Sequence, residues 1–212
     1  MPSVDGLIAR AALFGKAFEA VDHPTLRGVS DGKTIGGYIE LAFKKDLAGA
    51  GIIEAVEGNA AKGIDLPSFN IDIKVTSHRQ PQSSSPFKTF KQKIEGLGYG
   101  LIIFVYEKSD ERDKNLRFVA VRYIPAELTG DHQTTKGLRQ IIDDPDGNVD
   151  DVTAFLADRN IPADEAELYE YANWLMENPP ALGYLTISNA LQWRLKYERV
   201  VKGGIAGIDE IL

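Results

Sequence analysis

FNIDIKVTSHRQPQSSSPF, Phe69 to Phe87, decides how the rest of the chain is arranged. Its first half alternates, with Ile71, Ile73 and Val75 on one side and Asp72, Lys74 and Thr76 on the other. Alternation with period two marks a strand that turns one face to a core. The second face then carries a carboxylate and an ammonium side by side. The polar run that follows holds His78, Arg79 and Lys88 and no acid.

Outward from this strand the elements come in a definite order. LIIFVY, Leu101 to Tyr106, is a continuous apolar run and reads as a strand buried on both faces. Pro86 to Leu97 lies between the two strands and reads as a helix stopped by Gly96 and Gly98. Strand, helix, strand implies a right-handed parallel crossover. Leu116 to Ile124 is a further strand, and the turn KSDERDKN before it makes that pair antiparallel. Upstream, residues 5–20 and Thr34 to Ala48 read as helices, the second capped by Ser30 or Asp31. Gly36 and Gly37 inside it suggest close packing or a backbone approach. Downstream, helices are expected over Thr135–Ile142, Val149–Arg159, Ala163–Glu177 and Ile187–Val201. The fold class is therefore α/β, a mixed central β-sheet flanked by helices, with a helical C-terminal region. Residues 1–130 form the expected core. Residues 131–212 form a mostly helical region packed on it, suited to recognition or dimerisation.

Composition narrows the functional classes. The chain has 212 residues, enough for a sizeable core. It has no cysteine, which excludes disulfides, thiolate zinc sites and cysteine nucleophiles. No apolar run approaches membrane-spanning length, and the N-terminus is too polar for a secretory signal. A cytoplasmic location with no membrane partner is expected. The net charge is −7, yet its distribution is uneven. Val75 through Lys93 contains no acid, whereas Asp143 to Glu177 is dense in it and reads as a solvated helical face. The sign of the local charge governs which partner docks on a face.

Asp72 beside Lys74 has three readings: a charged edge strand, a local ion pair, or a metal-dependent site. Asp65 favours the third. It stands seven residues before Asp72, at the end of the turn NAAKGID, and a short hairpin would bring the two carboxylates together. Two carboxylates at close range repel unless one is protonated or a cation lies between them. Magnesium, a hard ion with oxygen ligands, suits such a pair. Lys74, on the same strand face, would orient a water and balance charge on a phosphate. These parts suit metal-assisted phosphodiester hydrolysis.

The pattern D-x6-D-x-K formed by Asp65, Asp72 and Lys74 resembles the PD-(D/E)xK nuclease superfamily, which includes most type II restriction endonucleases. The preceding DGKTIGGYIELAF looks like the helix of MutH-type nicking endonucleases, in which a Gly precedes a metal-proximal Glu by four residues; Gly36 and Glu40 stand at those places. The similarity covers roughly residues 30–106. Ile64 departs from the usual Pro, and Asp72 is a shorter acid than the Glu of MutH-like enzymes. The resemblance implies a restriction-endonuclease-like fold and Mg2+, with Mn2+ as a substitute. It implies that Asp65, Asp72 and the carbonyl of Ile73 bind the metal with Glu40 close by, and that Lys74 positions the attacking water. The product would be a 5′-phosphate.

Under that reading the polar run contacts double-stranded DNA. Arg79 and Lys88 meet phosphates, while His78, Gln80, Gln82, Ser83, Ser84 and Ser85 bond phosphates or base edges. Lys91 and Gln92 face the backbone from the following helix, and Asn189, Gln192, Arg194, Lys196 and Arg199 offer reading groups farther on. GVSDGKT, Gly28 to Thr34, has three rather than four residues between its glycines and is no P-loop. The three histidines make no metal pattern. The expected function is a Mg2+-dependent, sequence-specific double-strand endonuclease of the type II restriction class, acting as a homodimer beside a cognate methyltransferase. A structure-specific or nicking repair nuclease, or a junction resolvase, is the enzymatic rival. A catalytically silent DNA-binding protein is the rival of another class.

Overall fold

The computed structural model describes residues 3–54, 63–85, 87–188 and 194–212. Two compact units divide the chain. One comprises residues 1–83, 100–125 and 200–212, and the other 84–99 and 126–199.

The first unit begins with two long helices, α1 (Val4–Glu19) and α2 (Gly32–Gly49). Ser3 caps α1, and Asp31 caps α2 by accepting from the Thr34 amide at 2.8 Å. Their apolar stripes include Leu7, Phe14 and Phe18 on α1 and Ile35, Ile39, Phe43 and Leu47 on α2. Four strands, β1 (Ile71–Ser77), β3 (Gly100–Lys108), β4 (Leu116–Ile124) and β7 (Asp209–Glu210), form one mixed sheet in that order, and the short β2 (Gln82–Ser84) is not part of it. β1 runs parallel to β3, with Ile73 opposite Ile102. β4 is antiparallel to β3, with a bulge where Val105 gives way to Tyr106, and β7 adds antiparallel to β4. Ile71, Ile73, Ile102, Phe104 and Phe118 pack with both helices in one core. Phe104 sits edge-on to Phe14 and Phe43 at its centre, with ring centroids 5.8 and 5.0 Å away. Apart from Glu107 and Lys108 at its end, all of β3 is buried, as a continuous apolar strand requires. The α/β class, the mixed sheet, the parallel β1–β3 pair and the antiparallel β3–β4 pair all agree with the sequence.

The second unit holds α4 (His132–Ile142), α5 (Val149–Asp158) and α6 (Glu165–Glu177) around Leu138, Val152, Leu156, Leu168 and Tyr171. α6 opens with a capping box between Asp164 and Glu167. Much of the acidic stretch is thus employed in starting and solvating these helices.

Three expectations differ. The helix over Pro86–Leu97 contracts to α3, Gln92–Glu95; Pro86 itself lies outside the described residues. The Gln92 side chain takes the Lys88 amide at 2.7 Å, which closes a turn where a longer helix would begin. Gly96 then ends the helix at φ 94°, where an added Cβ would lie 2.6 Å from the Ala126 carbonyl. The helix over Ile187–Val201 is replaced by β5 (Thr186–Ile187), β6 (Arg194–Lys196) and a single helical turn α7 (Glu198–Val201). Leu195 pairs with Ile187, and Leu195 and Tyr197 are buried while Arg194 is exposed: the period is two. Asn189 and Gln192 lie outside the described residues. Gly36 faces Val75 with room for a methyl group at 3.7 Å, and Gly37 faces open space, so neither marks a forced close approach.

Candidate active site

β1 opens through a tight bend. Leu66 and Ile71 exchange backbone hydrogen bonds of 2.9 and 3.2 Å across the turn Pro67–Phe69, and Asn70 closes it in the left-handed region at φ 55°. Asn tolerates that conformation better than most residues. The bend folds Asp65 back over the start of the strand. Its Oδ2 accepts from the Ile73 amide at 3.0 Å, and its own amide donates to Asp72 Oδ1 at 3.3 Å. The two acidic side chains come within hydrogen-bonding reach of each other. Of the turn NAAKGID that leads here, residues 59–62 lie outside the described residues.

Two lysines complete the arrangement. Lys74 Nζ lies 2.7 Å from Asp72 Oδ2 along the same strand face. Lys44, on α2, reaches Asp65 Oδ1 at 2.6 Å and Glu40 Oε1 at 2.7 Å. Glu40 therefore joins the cluster through Lys44. Lys44 was not among the sequence candidates, although a legible signal existed: it follows Glu40 by one helical turn, on a stretch whose neighbours Phe43 and Leu47 are apolar.

The electrostatics follow from burial and crowding. Asp72 is only 5 % exposed. Burial, then the adjacent Asp65, pushes its carboxyl up to about 6 against the pull of Lys74. Burial also acts to raise Asp65, but its bonds to Asp72, Lys44 and the Ile73 amide hold it down at about 2. Burial works against the Lys44 ammonium too, and Asp65 and Glu40 more than compensate, leaving its pKa above the ordinary lysine value. Three carboxylates (Glu40, Asp65, Asp72) face two ammoniums (Lys44, Lys74), a formal excess of one negative charge. Among the described residues no three acidic or imidazole side chains already converge into a metal cage. Two carboxylates, with carbonyl, water and phosphate oxygens filling the remaining positions, are nevertheless the ligand mix that magnesium takes. The donor set and the charge excess fit such an ion.

The polar run leaves the far end of β1, after Ser77. Thr76, 6 % exposed, pins it: the Thr76 hydroxyl accepts from the Gln82 amide at 3.1 Å and lies 3.3 Å from the Gln80 carbonyl. Arg79 and Gln80 are exposed at the tip of the turn, and Gln82 and Ser83 are half-buried on the return. His78 turns Nε2 toward Glu107 Oε1 at 3.9 Å, and its Nδ1 is buried without a hydrogen-bond partner. Glu107 is itself held well below the usual carboxylate range, at about 2, by hydrogen bonds from Arg112 and Arg117.

Ser84, Lys88, Lys91 and Gln92 belong to the second unit. Ser84, Lys88 and Lys91 are exposed there, and the Lys91 ammonium lies 4.9 Å above the Tyr171 ring. Gln92 uses both ends of its amide within the protein, toward the Lys88 amide and the Leu97 carbonyl. Arg194, Lys196 and Arg199 sit on β6 and α7 rather than on one helix face.

No helix among the described residues is long and apolar enough to cross a membrane. No solved structure matches the chain. The family of the type II restriction enzyme NspV matches over residues 2–210. A curated type II restriction enzyme NspV, from Nostoc sp. (strain ATCC 29411 / PCC 7524), is 49% identical over 203 residues, covering 94% of this chain and 91% of its own. The carboxylate pair at the mouth of β1 thus lies in a chain that belongs to the NspV family of type II restriction enzymes, which are site-specific deoxyribonucleases.

Proposed function

We propose that this restriction enzyme cuts both strands of its site by magnesium-dependent hydrolysis, with the PD-(D/E)xK active site formed by Asp65, Asp72 and Lys74. The observation that carries this reading is the meeting of half-buried Asp65 with buried Asp72, whose Oδ1 takes the Asp65 amide at 3.3 Å, with Lys74 2.7 Å from Asp72. Two acids held against each other are costly unless one is protonated or a cation lies between them. Asp65, Asp72 and the Ile73 carbonyl would hold magnesium. The bound ion would supply Lewis-acid polarisation of the phosphate and a more acidic water.

The protein's own groups do the rest. Lys74 orients the attacking water, and Asp72 fixes the Lys74 ammonium in place. The water oxygen bonds to phosphorus as the bond to O3′ breaks. The water's proton leaves to solvent, and O3′ takes up a proton to become a hydroxyl. The products are a 3′-hydroxyl and a 5′-phosphate. Glu40 contributes by fixing Lys44. Arg79, Gln80, Gln82 and Ser83, with His78 behind them, approach the DNA from the turn that Thr76 pins. On the second unit, exposed Ser84, Lys88 and Lys91 offer phosphate contacts of their own. A homodimer suits cleavage of both strands, and a methyltransferase of the same specificity would protect host DNA.

Membership of a type II restriction family favours site-specific cutting over the structure-specific nuclease and the silent binder. The test is direct. The protein is incubated with a sequenced phage genome and Mg2+, and the fragment ends are sequenced. Discrete bands with 5′-phosphate ends are expected. Nicked circles, or cutting that persists in excess chelator, would sink the assignment.

A further inference from the structure

Lys44 is not part of the metal-binding pattern, yet it lies deeper in the cluster than Lys74. The residue is 7 % exposed and bridges two carboxylates that come from different elements, Glu40 on α2 and Asp65 before β1. Both contacts, at 2.7 and 2.6 Å, are at the short end for charge-assisted hydrogen bonds. Its neighbours on α2, Phe43 and Leu47, are fully buried, so the stem leaves the helix inside the core.

We propose that Lys44 is a built-in monovalent cation that fills the subsite between Glu40 and Asp65 and so restricts this active site to one divalent ion. The inference rests on the magnesium-nuclease reading above and makes it more specific. Two-metal nucleases hold their ions roughly 4 Å apart, each bridging oxygens that the other also approaches. In this chain the carboxylates that could offer a second ion a place beside Asp72 are Glu40 and Asp65, and the Lys44 ammonium already stands between them. A divalent ion entering there would have to share two carboxylates with a trapped ammonium or expel it into apolar surroundings, and both are unfavourable. The charge excess of one points the same way, because a single divalent ion together with one phosphate charge brings the cluster to neutrality, whereas two ions overshoot. Lys44 thus supplies fixed positive charge where other enzymes recruit a second metal. Glu40 becomes a positioning residue that acts through Lys44.

The experiment counts bound Mn2+ per chain by electron paramagnetic resonance on the metal-stripped full-length protein. The wild type should bind one ion, and Asp72→Asn should bind at least tenfold more weakly. Lys44→Arg should still bind one. Lys44→Met should bind two, and Lys44→Met combined with Glu40→Gln should return to one. Two ions in the wild type, or one ion in a Lys44→Met protein that still melts cooperatively, overturns the proposal and leaves the nuclease reading standing. Should Lys44→Met fail to fold, Glu40→Gln decides: unchanged Mn2+ affinity supports the proposal, and a loss of tenfold or more makes Glu40 a ligand and overturns it. Absence of any bound Mn2+ in the wild type, together with no cutting, overturns the nuclease reading and this proposal with it.

Discussion

Asp72 in the first unit and Asp131 in the second are equally hidden, 5 % and 4 % exposed, and their surroundings differ in kind. Asp131 caps α4. Its Oδ2 accepts from the Thr134 amide and hydroxyl at 2.9 and 2.7 Å, and its Oδ1 from the Ile187 amide at 2.7 Å. Burial holds the nearby Lys93 below the ordinary lysine value in spite of the attraction of Asp131. Neutral donors saturate the carboxylate. Asp72 instead meets a second acid, within a cluster one negative charge in excess. Burial alone therefore says little about a carboxylate. A buried acid saturated by donors ties the structure together, whereas a buried acid crowded by another acid is set up for a ligand that brings positive charge.

This contrast can be broken most sharply by substitution. Asp65→Ala should abolish cleavage, and Lys74→Ala should lower kcat by about 10²- to 10³-fold, the range for removing one preorganised electrostatic group. Circular-dichroism melts of both should remain cooperative. Wild-type rates in either would remove the special status of the first cluster. Asp131→Ala should do the reverse. It orphans two buried amides at about 1–3 kcal/mol each, so chemical denaturation should show a loss of about 2–6 kcal/mol. The protein that remains folded should cut at a normal rate, and a selective loss of kcat would show that the two aspartates are not distinct in role.

Metal addition gives a smaller and more specific effect. Mg2+ at a hundred times its dissociation constant should stabilise the wild type by about 2.7 kcal/mol. Asp72→Asn should gain at most about 1.4 kcal/mol at that concentration and Asp131→Asn should gain as much as the wild type, measured by melting with and without the ion. The smallest effect belongs to a surface cation. Lys91→Gln should weaken binding to cognate and unrelated DNA alike and reduce the slope of log K against log salt by about one. A change in site preference would instead give Lys91 a base-reading role.

How much of this was legible in the chain follows from range. The alternation through Ile71–Ser77, the apolar run at Leu101–Tyr106 and the caps of the long helices are local patterns. The sheet core and α1, α2, α4, α5 and α6 appear where those patterns place them. The short elements were not legible. Pro86–Leu97 shows helical spacing, yet Gln92 folds back on Lys88 and leaves one turn of helix. In Arg194–Tyr197 helical and alternating periods fit equally well over so few residues, and pairing with Thr186–Ile187 decides for strand.

The site divides along the same line. Sequence by itself determined the acids, Lys74 and their spacing, because D-x6-D-x-K is written within ten consecutive residues. Only the tertiary structure decided that Lys44 enters the cluster, that Glu40 reaches Asp65 through it, and that Gln92 is committed to its own turn. The first two depend on α2 lying against β1 and on where a flexible side chain finds its counter-charge, and the third on a backbone amide four residues away. Spacing along a chain fixes which residues share a face, but a charge is balanced by whatever packing brings within about 3 Å of it, and that neighbour can come from anywhere in the sequence.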